Sequence, residues 1–261
     1  MDFLFLLALI WLIVASIQDI RKREVDNWLS FSLIAFSLAY VIFYSLLNQD
    51  ISFFLHSLLG LTVFIALGFA FYYGRVFAGG DAKLIMGIGI IIGLTNSYLN
   101  FLLLLLISGA IYGTFYTLFI SIKHRKKFAK EFKLLWKNEK KIYFVLASII
   151  LLLPAILLQN AVLLALPALA ILFPVILIYG KAVENCLIFS KSYKELTVGD
   201  WLYKSIKLKN KTIHPHWEGL TESQIALLQK NKKNILIKDG VPFVPAILLA
   251  LILWNSHFNF W

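Results

Sequence analysis

The sequence predicts an all-α polytopic membrane protein, with about eight transmembrane helices, six at the fewest, and a small polar region on the cytoplasmic side. Three observations predict it. Of the 261 residues, 60% are hydrophobic and only 15% charged, and the mean hydropathy is +0.81. A soluble domain carries about 45–50% apolar and about 25% charged residues, so lipid must replace water around most of this chain. Second, the apolar residues gather in runs near the length that crosses a bilayer as helix. Third, all 25 lysines and arginines fall in alternate connections between those runs.

The runs extend from Phe3 to Gln18, Trp28 to Leu47, Ser52 to Tyr73, Ala82 to Thr95, Tyr98 to Ile122, Ile142 to Leu158, Ala161 to Gly180, and Val241 to Phe258. The fourth is the shortest and holds glycines at 87, 89 and 93; the polar pair Gln159 and Asn160 divides the sixth from the seventh. Arg21, Lys22 and Arg23 follow the first run, Arg75 and Lys83 precede or open the fourth, and the remaining basic residues lie in 123–141 and 181–238. Cytoplasmic loops collect Lys and Arg, which puts these connections inside and both termini outside, in the cell membrane. Asp2 precedes the first apolar run and the basic cluster follows it, an order opposite to that of a secretory signal peptide. The first helix is therefore expected to be retained.

The chain divides accordingly. Residues 1–122 form a membrane core, 123–141 a basic amphipathic segment, 142–180 a hydrophobic hairpin, 181–240 a cytoplasmic polar region and 241–261 the last transmembrane helix. In the basic segment Phe128 and Phe132 are four apart among lysines, the spacing of an amphipathic helix lying on a membrane surface. Anionic lipid, not nucleic acid, is the partner that suits the net charge of +11. In the polar region Thr221 and Gln224 form a capping box that opens a helix to about Lys230, and Ile235 to Ile237 reads as a short strand. His214 and His216 flank Pro215 without a third nearby ligand and read as a surface loop. Cys186 is the single cysteine, so an internal disulfide and a CxxC metal or redox site are excluded. No metal or cofactor is expected.

Acidic residues at membrane depth are costly and call for a function. Asp19 closes the first run and Asp81 opens the fourth, in Ala78-Gly79-Gly80-Asp81-Ala82-Lys83-Leu84. The predicted topology carries both to the cytoplasmic edge, where they can meet. Two carboxylates about 4 Å apart repel by about 4 kcal/mol at an effective dielectric near 20, so such a pair shares a proton. One can then draw a proton from water while the other donates to a scissile carbonyl. Gly79 and Gly80 let a substrate backbone approach the loop. Lys83 points about 200° around the helix from Asp81, placed to orient the loop or touch substrate. Taken singly, Asp81 could be a helix cap and Asp19 the partner of the basic loop.

These residues resemble the type IV prepilin peptidases, and most closely the archaeal prepilin and preflagellin branch of the membrane aspartic proteases with a Gly-x-Gly-Asp motif. Three segments carry the resemblance: Asp19-Ile20-Arg21-Lys22-Arg23-Glu24-Val25-Asp26-Asn27, Gly79-Gly80-Asp81-Ala82-Lys83-Leu84, and Gly240-Val241-Pro242-Phe243-Val244-Pro245. Ala78 departs from the first glycine of the family motif. The resemblance implies about six spans, Asp19 and Asp81 as catalytic aspartates, and removal of a short basic leader from precursors with class III signal peptides, pilins and archaellins. It implies no methyl transfer, because the paired cysteines of the bacterial relatives are lacking. Two other classes compete: a proton-coupled transporter with the two aspartates as relay, and an inactive scaffold of a pilus assembly machine. No internal repeat of the transporter kind is visible.

Overall fold

The computed structural model describes residues 2–95, 97–138, 146, 148–152, 165–208, 212–230 and 234–258. Its helices are α1 (Asp2–Lys22), α2 (Asn27–Asn48), α3 (Ile51–Tyr73), α4 (Gly79–Ile92), α5 (Tyr98–Lys123), α6 (Arg125–Asn138), α7 (Ala165–Cys186), α8 (Glu222–Lys230) and α9 (Val244–Phe258). Five short strands, β1 (Ile188–Lys191), β2 (Trp201–Leu202), β3 (Ile206–Lys207), β4 (Thr212–Ile213) and β5 (Ile235–Lys238), lie between α7 and α9. The protein is a mostly helical membrane protein. Among the described residues five helices, α1, α2, α3, α5 and α7, are long and apolar enough to cross a bilayer.

Two of the expected spans are shorter than a bilayer. Helix α4 has 14 residues, about 21 Å at the usual rise, and α9 has 15. Helix α4 is apolar all round because protein surrounds it: ten of its residues are buried, including Leu84, Ile85, Ile88 and Ile92. A helix of that pattern belongs in a core, not at a lipid face. The expected sixth span, Ile142–Leu158, and the division at Gln159 and Asn160 lie outside the described residues, apart from helical residues at 146 and 148–152.

The chain forms two compact units, residues Met1–Phe115 with Gly240–Trp261, and Tyr116–Asp239. In the first unit α4 packs against α3 and α2, and α1 against α9. The α3–α4 contact depends on glycine: a Cβ on Gly60 would strike the backbone of Gly89 and Gly93, and one on Gly89 would strike Phe64 and the backbone of Gly60. The core joins Leu4, Leu12, Leu33, Phe64, Ile85, Ile88, Phe101, Ile247 and Trp254. Trp254 donates its indole N–H to the Ser97 carbonyl at 3.2 Å.

In the second unit α6 lies against α7. Phe128 meets Tyr179 edge to face at 5.4 Å, and Phe132 stacks on Trp136 at 5.8 Å. Residues 188–238 add an antiparallel sheet of order β1-β5-β2 and a β3-β4 hairpin, closed over Leu202, Ile213, Leu220, Leu228 and Ile237. The expected capping box forms: the Thr221 N–H donates to Gln224 Oε1 at 3.0 Å, and the Gln224 N–H to Thr221 Oγ1 at 3.4 Å. The expected strand at 235–237 is β5. Its four companions are two to four residues long, too short for a sequence period to register.

Candidate active site

Helix α1 turns one face to protein, through Leu4, Ala8, Leu12 and Ala15, and leaves Leu6, Ile10, Ile13, Val14, Ile17 and Ile20 exposed. Asp19 extends the inward stripe four residues beyond Ala15, and is only 5% exposed. Its Oδ2 accepts the backbone N–H of Val244 at 3.0 Å. This group stands at the start of α9, where helical N–H groups have no partner within their own helix. Arg23 supplies positive charge to Asp19. It ends α1 in the left-handed region, φ 62°, with its N–H on the Asp19 carbonyl at 2.9 Å.

Asp81 stands in the first turn of α4 and is 7% exposed. The N-cap is Ala78, whose side chain can make no capping bond. The Asp81 carboxyl bonds the Ala78 backbone instead, reaching back as the acid of a capping box does. The structure brings the two acids together: Asp19 and Asp81, 62 positions apart in sequence, lie within Coulombic reach of one another in the same core. A capping role for Asp81 alone leaves that proximity without a reason.

The two glycines before Asp81 are not equivalent. A Cβ on Gly80 would lie 2.9 Å from Val25 Cβ and 3.2 Å from its carbonyl oxygen, so the loop after α1 rests directly on Gly80. At Gly79 the nearest atom is Tyr72 Cε2 at 3.5 Å, an ordinary contact. Lys83 donates from Nζ to Asn27 Oδ1 at 2.6 Å. Its ammonium also stands 5.5 Å from the Phe31 ring centroid.

Asp26, the other acid near the first segment, serves the turn between α1 and α2. Its Oδ2 accepts from Gln18 Nε2 at 3.1 Å and from Trp28 Nε1 at 3.3 Å, and its N–H donates to Gln18 Oε1 at 3.3 Å. In the second unit, His214 Nδ1 contacts Ser205 Oγ at 3.1 Å, and His216 Nδ1 lies 3.6 Å from Glu218. Among the described residues no three His, Cys, Asp or Glu gather as metal ligands would.

The sequence reading gave no role to Phe243 and Val244. A signal was present: in Pro242-Phe243-Val244-Pro245 the prolines have no N–H, so only the two middle residues can donate.

Helices long and apolar enough to cross a membrane, with a buried pair of carboxyls among them, define a polytopic membrane protein with two acids in its core. Residues 6–118, which contain both aspartates, match the type IV leader peptidase family. It is 36% identical over 88 residues to a preflagellin peptidase of Methanocaldococcus jannaschii, covering 34% of this chain and 37% of that protein. To a preflagellin peptidase of Methanococcus maripaludis it is 26% identical over 155 residues, 52% of this chain and 67% of the relative. The matched stretches thus leave out most of the first relative and about a third of the second. No solved structure matches the chain.

Proposed function

We propose that the protein is a membrane aspartic endopeptidase that removes the short basic leader of pilin-like or archaellin precursors at the cytoplasmic edge of the membrane. Asp19 and Asp81 are the catalytic pair, Gly79, Gly80 and Lys83 belong to the substrate loop, and no cofactor takes part. The observation that carries this reading is the convergence of two buried carboxyls from distant segments. The match of residues 6–118 to the type IV leader peptidase family and the similarity to the preflagellin peptidases support it.

In this mechanism one carboxylate takes a proton from water as the oxygen attacks the scissile carbonyl carbon. The other gives its proton to the carbonyl oxygen. The tetrahedral intermediate collapses, the C–N bond breaks and the proton returns to the departing amine. The precursor's hydrophobic helix would pack in the bilayer beside the enzyme and bring the leader junction to the acids. Helix α6 adds a lipid contact, with Phe128, Phe132 and Trp136 along one side and Lys126, Lys130, Lys133 and Lys137 on the other. That pattern suits an anionic membrane surface.

The test is leader removal from a co-expressed precursor, read by mass spectrometry. Asp19→Asn and Asp81→Asn are each expected to abolish cleavage while the protein still inserts. A variant of either kind that cuts normally rejects the peptidase reading.

A further inference from the structure

We propose that the start of α9 is part of the catalytic apparatus, the backbone N–H of Val244 being the positioning element that fixes the Asp19 carboxyl beside Asp81. The inference rests on the peptidase reading and adds to it a role for main chain more than 220 residues from Asp19 in sequence.

Three observations carry it. The Val244 N–H bonds Asp19 Oδ2 at 3.0 Å in a buried setting, and Val244 is fully buried, so water cannot replace the bond. Within residues 242–245 only Phe243 and Val244 carry an N–H, because residues 242 and 245 are proline. The third observation ties the same segment to the other acid. The Phe243 ring packs 4.8 Å from the Phe77 ring, which itself packs 4.8 Å from Phe71, and Phe77 stands four positions before Asp81. On its far side the Phe243 ring closes on Gly109 of α5, where a Cβ would lie 2.9 Å from Phe243 Cζ. One residue pair therefore grips Asp19 with its backbone and braces the Asp81 loop with its side chain.

The geometry has a chemical purpose. A carboxyl at the end of α1 has two free χ angles, and a pair of acids acts on one water only if both face it. A main-chain donor from a packed helix start fixes Oδ2 and with it the orientation of the carboxyl. Misplacing a catalytic group by about 1 Å costs about 100-fold in rate.

Val244→Pro tests this directly. Proline is favoured at the first position of a helix, so the change deletes the donor where the helix tolerates it. The expected result, with purified enzyme and a precursor substrate, is a kcat lower by about 10- to 100-fold and a KM within about twofold of wild type. A packing defect would instead lower the thermal midpoint and the yield. Val241→Pro, which removes the N–H of an exposed residue just before Pro242, should cleave as wild type does. If Val244→Pro fails to insert, an ester in place of the residue-244 amide removes the N–H and keeps the valine side chain. Wild-type kcat in the proline or the ester variant overturns the proposal and leaves the peptidase intact. A wild-type enzyme that leaves every precursor uncut refutes the peptidase reading itself.

Discussion

Asp26 and Asp19 are seven positions apart, Asp19 in the last turns of α1 and Asp26 in the turn that follows, and what separates them is burial and partners. Asp26 is half-exposed, accepts from Gln18 and Trp28, and lies 3.8 Å from Lys22. All of its contacts hold the turn that reverses the chain between α1 and α2. Asp19 is buried, bonded by main chain, and set against a second acid. Asp26→Ala is therefore expected to keep wild-type cleavage while losing about 1 kcal/mol of stability, measured as a lower thermal midpoint in detergent. Loss of cleavage at normal expression would transfer the first catalytic role from Asp19 to Asp26. This distinction could be anticipated in the sequence, because Asp19 ends an apolar run and Asp26 follows three basic residues. The partners could not: the bond from Val244 joins residues at opposite ends of the chain, and no local pattern encodes such a pairing.

Between elements, the aspartate segments are joined by contacts at each level of the site. Val25 rests on Gly80, Lys83 reaches Asn27, and the Phe243 ring sits on Phe77. The Lys83 bond is the one that a substitution reads most cleanly. A hydrogen bond to a charged group is worth about 1.5–3 kcal/mol, and this one links α4 to the first residue of α2. Lys83→Met and Asn27→Ala are each expected to lower kcat/KM by about 10-fold or more. Because both remove the same bond, the double variant should be little worse than either single one. Additive losses would mean that Lys83 acts on substrate without Asn27. Helix α4 also shows where sequence patterning stops. Its apolar character and glycines read as a short membrane span, yet burial by neighbouring helices produces the same composition, and length alone separates the two cases. The glycines of α3 and α4 become intelligible only as a pair, Gly60 against Gly89.

For the whole molecule the decisive issue is whether both acids face one side of the membrane. Helices α2 and α3 have 22 and 23 residues, about 33 and 35 Å at 1.5 Å per residue, so each is long enough to cross the hydrocarbon once. Two successive crossings return the chain to the side it left. The end of α1, with Asp19, and the end of α3, six residues before Gly79, then share one face whichever way the protein is inserted. The proposal that this face is the cytoplasmic one rests on the distribution of Lys and Arg. The single native cysteine, Cys186, is buried and can be replaced by serine, which clears the background for labelling. Cysteines placed at exposed Arg21, Gln49 and Arg75 then test the arrangement with a membrane-impermeant maleimide. Gln49→Cys, at the turn between α2 and α3, should react in intact cells. Arg21→Cys and Arg75→Cys should react only after the membrane is opened, and both to the same extent. Labelling of Arg21→Cys and Arg75→Cys from opposite faces would put a bilayer between the ends of α1 and α3, and no hydrolysis by a shared pair of carboxyls could follow. Reaction of both from outside would keep the pair and reverse the side on which the leader must be presented.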